Sequence, residues 1–302
     1  MKKRFWLRAT IFILLLVVLE IVLRLFGFGC YPVYYQSNSY EYAFEPNQSL
    51  KRFGNTFYIN SLGMRSADMD PNETKILGFG DSVLNGGVAI SQEDLASSKL
   101  DSALQADISG TRFANISAGS WGVSNAYNWF LENNSHAPEA IVLVFSSHDY
   151  DDKMEFQNVV GNVSFYPDSQ PLLAITDAIT WVYSRYFENV NWSELQHYKT
   201  YADDEQPHDS GWDKFIEYSR SAHIPLIVYH HPDQSESRNG QWNSKGQQLE
   251  DLLSSRKIRT VSGLEVEMEE HDYRDEIHPS GSGQIKIAKA ILPVLKLELK
   301  NE

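Results

Sequence analysis

This chain of 302 residues is poor in cysteine and in positive charge. Cys30 is its only cysteine, so no disulfide can form within the chain. Acidic residues outnumber basic ones by 40 to 26, which gives a formal net charge of −14. Nucleic acids are bound through basic surfaces, so this charge argues against a nucleic-acid partner. No repeat or low-complexity tract is present, and a hydrophobic content of 42% is ample for a sizeable core.

One apolar run near the N-terminus, residues 9–28, has the length of a helix that spans a membrane. Basic residues precede it, and they favour an N-terminus in the cytoplasm with the rest of the chain outside. We therefore predict a basic tail at 1–8, a transmembrane anchor at 9–28 and a juxtamembrane stalk at 29–56. The predicted location is a single-pass membrane protein whose main domain is periplasmic or extracellular.

Two charged residues interrupt this apolar run. Glu20 and Arg24 lie four residues apart, so on a helix they can form an ion pair. A cleaved signal peptide is the alternative to an anchor. No clear small-x-small cleavage site follows the run, since bulky Phe28 lies between two glycines. This pattern favours an uncleaved anchor and leaves the signal peptide open.

The stretch around which the chain is organised is residues 76–87, where an apolar run ends in small and polar residues. The run predicts a buried strand, and Gly80-Asp81-Ser82 predicts a tight turn at its carboxyl end. Open α/β sheets bind ligands just outside the carboxyl ends of their strands, so Ser82 is a candidate nucleophile. The alternative is a structural turn in which Ser82 caps a helix.

A matching base lies near the other end of the chain, in Asp275-Glu276-Ile277-His278-Pro279. A serine hydroxyl is a weak nucleophile at neutral pH and needs a neighbouring base, a role that histidine can fill. A carboxylate three residues earlier can face the same way as His278, hold its ring and stabilise the imidazolium. The order Ser82, Asp275, His278 therefore predicts a catalytic triad.

These motifs resemble those of the SGNH/GDSL hydrolase superfamily, from about residue 60 to the C-terminus. Gly80-Asp81-Ser82 and Asp275-x-x-His278-Pro279 resemble its first and last blocks, and residues 115–122 and 144–149 resemble its second and third. Residues 59–65 resemble a segment of membrane-anchored bacterial members. Strands and helices also alternate along the chain, which predicts a parallel sheet covered on both faces.

The resemblance implies a three-layer α/β/α sandwich with a mostly parallel, flavodoxin-like five-stranded sheet over residues 57–302. The stretch at about 150–206 breaks the alternation, so we predict an insertion, either a wall or lid over the active edge or a cap with its own core. The resemblance also implies an oxyanion hole formed by Ser82, Gly119 and His148. His148 stands where the family has asparagine, and Gly122 is an alternative to Gly119.

Trp121 follows the second block and is a candidate for substrate binding, because sugar rings stack on aromatic side chains. Packing in the core is the alternative. A zinc site is a competing interpretation of the same edge, since several possible ligands could converge there: His148, His230, His231, Asp275 and His278. No pair has the spacing of a helical metal motif, so we predict neither a metal nor a cofactor.

Three classes of function follow from these features. The first is a membrane-anchored serine esterase that hydrolyses an ester, with an O-acyl group on a carbohydrate as the expected substrate. The second is an O-acyltransferase that moves the acyl group to a cell-envelope glycan through the same triad. The third is a non-catalytic glycan-binding relative, suggested by the missing asparagine of the third block.

Overall fold

The computed structural model describes residues 2–70, 73–133, 137–200 and 207–300, so residues 201–206 of the predicted insertion lie outside the described residues. The strands are β1 (Tyr34–Ser37), β2 (Glu41–Phe44), β3 (Gln48–Arg52), β4 (Asn55–Ile59), β5 (Thr74–Gly80), β6 (Thr111–Ser117), β7 (Ala140–Ser146), β8 (Leu226–His231) and β9 (Arg259–Ser262). The helices are α1 (Lys2–Leu25), α2 (Ser82–Asn85), α3 (Ala96–Asp107), α4 (Val123–Glu132), α5 (Ala174–Tyr186), α6 (Gly211–Ala222), α7 (Gln234–Asn239), α8 (Ser244–Ser255) and α9 (Gly281–Glu298).

A five-stranded sheet in the order β6-β5-β7-β8-β9 forms the centre of the fold, and every neighbouring pair in it is parallel. Its strands are apolar on both faces, as in β7, where all seven residues are buried. The order corresponds to the flavodoxin-like arrangement of doubly wound proteins. The predicted fold class is therefore confirmed.

Helices cover both faces of the sheet and complete the three layers. Successive residues of a strand point to opposite faces, and the two apolar clusters divide accordingly. Leu77 and Phe79 pack with α4, α6 and α8, whereas Ile76 packs with α3 and α9. Because β5 has β6 on one side and β7 on the other, the chain reverses direction across the sheet at the carboxyl end of β5. Ligands bind at such switch points in this class of fold.

Two antiparallel hairpins, β1-β2 and β3-β4, precede the sheet in the chain. Phe44, Leu50, Phe57 and Ile59 form a small apolar cluster between them. Buried Arg65 follows and donates to the carbonyl oxygens of Gly87 and Ile90, each at 2.6 Å, while its guanidinium lies 4.1 Å from the centre of the Phe57 ring. The hairpins are thereby joined to the loop that follows α2.

The N-terminal helix α1 stands outside this core. Among the described residues it is the one helix that is long and apolar enough to cross a membrane, and none of its residues is buried. Its C-terminal end contacts α5, the helix of the 150–200 region.

Candidate active site

The turn that carries Ser82 is built by the residues at the end of β5. A side chain at Gly80 would lie 2.7 Å from the Val144 carbonyl oxygen and 2.8 Å from Leu84 Cβ, so only glycine fits there. Asp81 accepts a hydrogen bond from the Val83 N–H at 2.8 Å and caps α2. Ser82 is thus the first residue of a helix that starts at the switch point of the sheet.

Ser82, His278 and Asp275 form one chain of hydrogen bonds. Ser82 Oγ lies 2.9 Å from His278 Nε2. His278 Nδ1 lies 2.9 and 2.8 Å from the two oxygens of Asp275. The structure therefore brings together the three residues that the sequence predicted as a triad, although 196 positions separate serine from histidine.

Asp275 is held in place by the backbone of its own loop. Its Oδ1 accepts hydrogen bonds from the N–H groups of His278, at 2.8 Å, and of Ile277, at 3.1 Å. Partial burial raises the pKa of Asp275, but these hydrogen bonds and the His278 ring outweigh burial and hold the pKa below its ordinary value. Asp275 is therefore an ionised partner that can orient His278.

Buried His231 braces the loop that carries His278. Its Nε2 lies 2.9 Å from the carbonyl oxygen of Ile277, so the ring acts as a donor. Burial lowers the pKa of His231 to about 4, which keeps the ring neutral at working pH. The loop is also fixed by the Gln234 N–H, which donates to the Glu276 carbonyl oxygen at 2.7 Å.

The surroundings of Gly119 and Gly122 distinguish the two candidates for the oxyanion hole. Gly122 is packed, since a side chain there would lie 2.4 Å from the Asp152 carbonyl oxygen, and its N–H donates to Asn125 Oδ1 at 2.9 Å. Nothing lies within 4 Å of a side chain built at Gly119. Across the described residues, no acceptor is recorded for the Gly119 N–H or the Ser82 N–H. These features favour Gly119 as the donor.

His148 lies in the short turn after β7, at the same edge as Ser82. The ring is half exposed, and its Nε2 lies 3.4 Å from Asp149 Oδ1 and 3.9 Å from Asp81 Oδ2. Within the described residues the structure gives no hydrogen bond between His148 and Ser82. The imidazole therefore faces two carboxyl groups, and its role at an oxyanion stays a prediction.

Those two carboxyl groups are buried, and Asp81 directly precedes Ser82. Burial, reinforced by neighbouring Asp149, raises the pKa of Asp81 to about 8, and burial raises the pKa of Asp149 well above its ordinary range. Asp81 Oδ2 and Asp149 Oδ1 have no hydrogen-bond partner among the described residues. Together with His148 they place three possible ligand atoms within 4.8 Å of one another. Asp81 and Asp149 are 68 positions apart, so no local sequence pattern points to this trio as a unit.

The broader zinc site that the sequence left open does not form. His230 Nδ1 lies 2.7 Å from Glu250 Oε1, and its Nε2 lies 3.1 Å from Ser147 Oγ. His231 binds the Ile277 carbonyl oxygen instead, and His278 is engaged by Ser82 and Asp275. In the ranges that the structure describes, only His148 of these histidines belongs to a possible ligand cluster.

Trp121 packs in the core. Its side chain is fully buried, its Nε1 donates to the Tyr42 carbonyl oxygen at 2.9 Å, and its ring packs against Tyr40. No part of the ring is accessible in this structure, which favours the alternative of packing in the core over a role in substrate binding. An indole N–H in a core needs an internal acceptor, and Tyr42 supplies it.

A cleft near the carboxyl end of β6 is lined by Ser120 and Asp152 but not by Ser82, Asp275 or His278. Its lining is polar and aromatic: Glu41, Tyr42, Ser120, Asp152, Lys153, Glu155, Gln157, Val159, Tyr166 and Trp192. Ser120 directly follows Gly119, and Asp152 interacts electrostatically with His148. Most of the lining comes from the 150–200 region, which the sequence marks as an insertion.

No family model and no curated protein matches this sequence. Solved structures similar to it include a lipolytic protein of the G-D-S-L family from Veillonella parvula (15% identity, 74% of this chain and 98% of that chain, TM-score 0.41). Another is a lipase/acylhydrolase from Enterococcus faecalis (11% identity, 74% of this chain and 95% of that chain, TM-score 0.43). A third is a variant of an acetyl xylan esterase from Geobacillus stearothermophilus (14% identity, 74% of this chain and 96% of that chain, TM-score 0.43). Such identities and TM-scores carry no conclusion about chemistry, which must follow from this chain's own residues. By their descriptions, these similar structures are lipolytic G-D-S-L proteins and esterases, and the motifs of this sequence resemble the SGNH/GDSL superfamily.

Proposed function

We propose that this protein is a serine esterase with Ser82 as nucleophile, His278 as base and Asp275 as the group that orients the base. The observation that carries the proposal is the 2.9 Å distance between Ser82 Oγ and His278 Nε2, continued to Asp275 through His278 Nδ1. A helix-capping role for Ser82 does not account for this contact, because Asp81 already caps α2.

In the proposed mechanism, His278 Nε2 takes the Ser82 hydroxyl proton as Oγ attacks the ester carbonyl carbon. Asp275 stabilises the imidazolium that forms. When the tetrahedral intermediate collapses, the proton on Nε2 goes to the departing alcohol and leaves an acyl-enzyme. His278 then deprotonates a water molecule, which attacks the acyl carbon. The bond to Ser82 Oγ breaks, His278 returns the proton to Oγ, and the acid leaves.

The negative oxygen of the intermediate needs donors that are fixed in advance. We assign this role to the N–H groups of Ser82 and Gly119, with the imidazole of His148 as the third donor. An imidazole can donate a hydrogen bond as the family's asparagine does. Loss of one such donor reduces the rate by about 10²–10³-fold.

We propose an O-acyl group on a carbohydrate as the substrate. The cleft that Ser120 and Asp152 line supports this class, because it combines carboxylates and an amide with aromatic rings. The hydroxyl groups of a sugar can bond to the carboxylates and the amide, and the apolar faces of its rings can stack on the aromatic rings. The side chains of His278 and Asp275 are 31% and 51% exposed, so water reaches the triad. This access favours hydrolysis over transfer of the acyl group to a second sugar.

We further propose that α1 is retained as a membrane anchor, with its basic end in the cytoplasm and the catalytic domain outside. Contacts between α1 and the domain support retention. Glu20 accepts hydrogen bonds from the N–H groups of Ala174 and Ile175, and Arg24 donates to the Leu172 carbonyl oxygen. Removal of α1 as a signal peptide would leave these groups without their partners.

The test compares wild type, Ser82→Ala and a matched variant on short p-nitrophenyl esters and on acetylated glycans. We expect Ser82→Ala to lose at least about 10³-fold in kcat. The matched control is Ser147→Ala, because buried Ser147 also lies within hydrogen-bonding distance of a histidine, and it should keep most of the activity. Full activity in Ser82→Ala would overturn the proposal. Product analysis with and without a sugar acceptor separates hydrolysis from acyl transfer.

A further inference from the structure

The α5 helix exposes an apolar face that the rest of the described chain does not cover. Its members are Leu172 just before the helix, Ile179, Val182, Tyr183 and Tyr186 within it, and Phe187 at its end; we call this set the α5 face. Positions 179, 182, 183 and 186 follow helical spacing, so they form one stripe. Leu172 is 92% exposed, Tyr186 68% and Phe187 71%. A contiguous apolar stripe of this kind marks an interaction surface.

The N-terminal end of α5 is hydrogen-bonded to the C-terminal part of α1, the proposed membrane anchor. Glu20 of α1 accepts from the Ala174 N–H at 2.8 Å and from the Ile175 N–H at 3.0 Å, at the positive end of the α5 dipole. Glu20 also pairs with Arg24 at 2.7 Å. The two charges that interrupt the apolar run are thus used to hold the N-terminus of α5 against α1.

A second set of contacts fixes the rotation of α5 about its axis. Buried Asp177 accepts from the Gly29 N–H at 2.6 Å and pairs with Arg52 at 2.6 Å. The ring of Phe28 packs edge-on against Phe53 and Trp181, with ring centres 5.1 and 6.1 Å apart. Because Asp177 points into this seam, the stripe at 179–186 points away from it.

The charge of α5 differs from that of the whole chain. Although the protein has a net charge of −14, the segment 172–187 contains one acid, Asp177, which is buried and paired. Arg185, the basic residue of the segment, is exposed and lies over the Trp181 ring. Tyrosine and tryptophan are enriched at membrane interfaces, where one end of the ring meets lipid and the other meets water. An apolar, aromatic face without carboxylates suits a lipid surface.

We propose that α5 lies in the outer interfacial layer of the bilayer that α1 spans, with the α5 face directed into the lipid. This inference rests on the proposed role of α1 as an anchor. Glu20 is five residues before the end of α1 at Leu25, a rise of about 8 Å, so α5 starts near the outer end of the anchor. If α1 spans the bilayer, lipid surrounds the neighbouring α5 face, so a protein partner would have to displace that lipid. The domain is thereby attached to the membrane at two elements, which fixes its orientation.

The experiment uses the full chain, one molecule per lipid nanodisc, with Cys30→Ser and a single nitroxide-labelled cysteine. Labels are placed by Tyr186→Cys on the α5 face, by Leu14→Cys on α1 and by Ser254→Cys at an exposed position of α8. Accessibility to oxygen, which enters lipid, is compared with accessibility to a water-soluble nickel chelate. We expect the ratio of oxygen to nickel accessibility to be several-fold higher at 186 than at 254, and lower than at 14, which lies deeper in the bilayer.

Each contrary outcome is separable. A label at 186 that is accessible to nickel, while the label at 14 is in lipid, overturns the proposal and leaves the anchor intact. A label at 14 that is accessible to nickel overturns both. Protection at 186 that appears only with two chains per disc assigns the α5 face to a second copy and also overturns it. Hydrolysis of a soluble ester, measured on the same samples, reports separately on the esterase.

Discussion

Replacing Asp81 with asparagine isolates the free energy of holding a buried carboxyl group next to Ser82, the proposed nucleophile. Asp81 is 1% exposed, and its Oδ2 has no hydrogen-bond partner among the described residues. The Asp81→Asn side chain keeps the oxygen that caps α2. Its new N–H₂ group replaces Oδ2, next to the unpartnered Asp149 Oδ1. The substitution therefore removes an ionisable group and supplies a donor without changing the shape of the side chain.

The magnitude follows from the shift in pKa. Burial and Asp149 raise the pKa of Asp81 from an ordinary value of 3.8 to about 8, so the folded state keeps a proton that the unfolded state loses. Stability is then lost progressively as pH rises from about 4 to about 8. The loss reaches about 2 kcal/mol at pH 5 and about 4 kcal/mol at pH 7. Asp81→Asn is free of this loss.

Urea unfolding of the full chain in a mild detergent, followed by circular dichroism at both pH values, measures the difference. We expect Asp81→Asn to be more stable than wild type, by a margin that is larger at pH 7 than at pH 5. The matched control is Asp251→Asn, which removes an exposed carboxylate and should change stability by less than about 0.5 kcal/mol at either pH. A gain that does not depend on pH, or a loss at pH 7, would refute the reasoning.

Two further predictions concern the surroundings of the triad. His231→Phe leaves the Ile277 carbonyl oxygen without its donor, and we expect a loss of about 1–3 kcal/mol at pH 7 with a lower kcat, measured by urea unfolding and ester hydrolysis. Because burial lowers the pKa of His231 from 6.5 to about 4, wild type loses about 3 kcal/mol as pH falls through that window, and His231→Phe should lose correspondingly less. Treatment with EDTA should leave esterase activity unchanged, since the proposed triad needs no metal; activity lost on chelation and restored by zinc would assign the cluster of Asp81, His148 and Asp149 to a metal instead.

The sequence predicted most of the elements that position Ser82. Apolar runs such as residues 140–145 are continuous because the strands are covered on both faces, and this pattern is local. The turn at Gly80 and the three-residue spacing of Asp275 and His278 are local as well. Their geometry therefore follows from short segments, and the parallel topology brings the two segments to the same edge of the sheet.

Features that depend on distant contacts were not predictable in this way. Trp121 has the residue type of a sugar-binding side chain, and only the acceptor at Tyr42, 79 positions away, shows that it is packed. His230 and His231 are adjacent and face opposite sides of a strand that is covered on both, so each finds its own buried partner. The contact of α1 with α5 joins positions about 150 apart and leaves no local pattern.

Reaction with a fluorophosphonate, followed by peptide mass spectrometry, tests the central claim most directly. The probe modifies a serine only where a base activates the hydroxyl, so the account predicts one adduct on Ser82 in wild type and none on Ser82 in His278→Ala. An intact protein with no adduct would contradict it, as would an adduct on Ser147, whose hydroxyl lies 3.1 Å from the ring of His230.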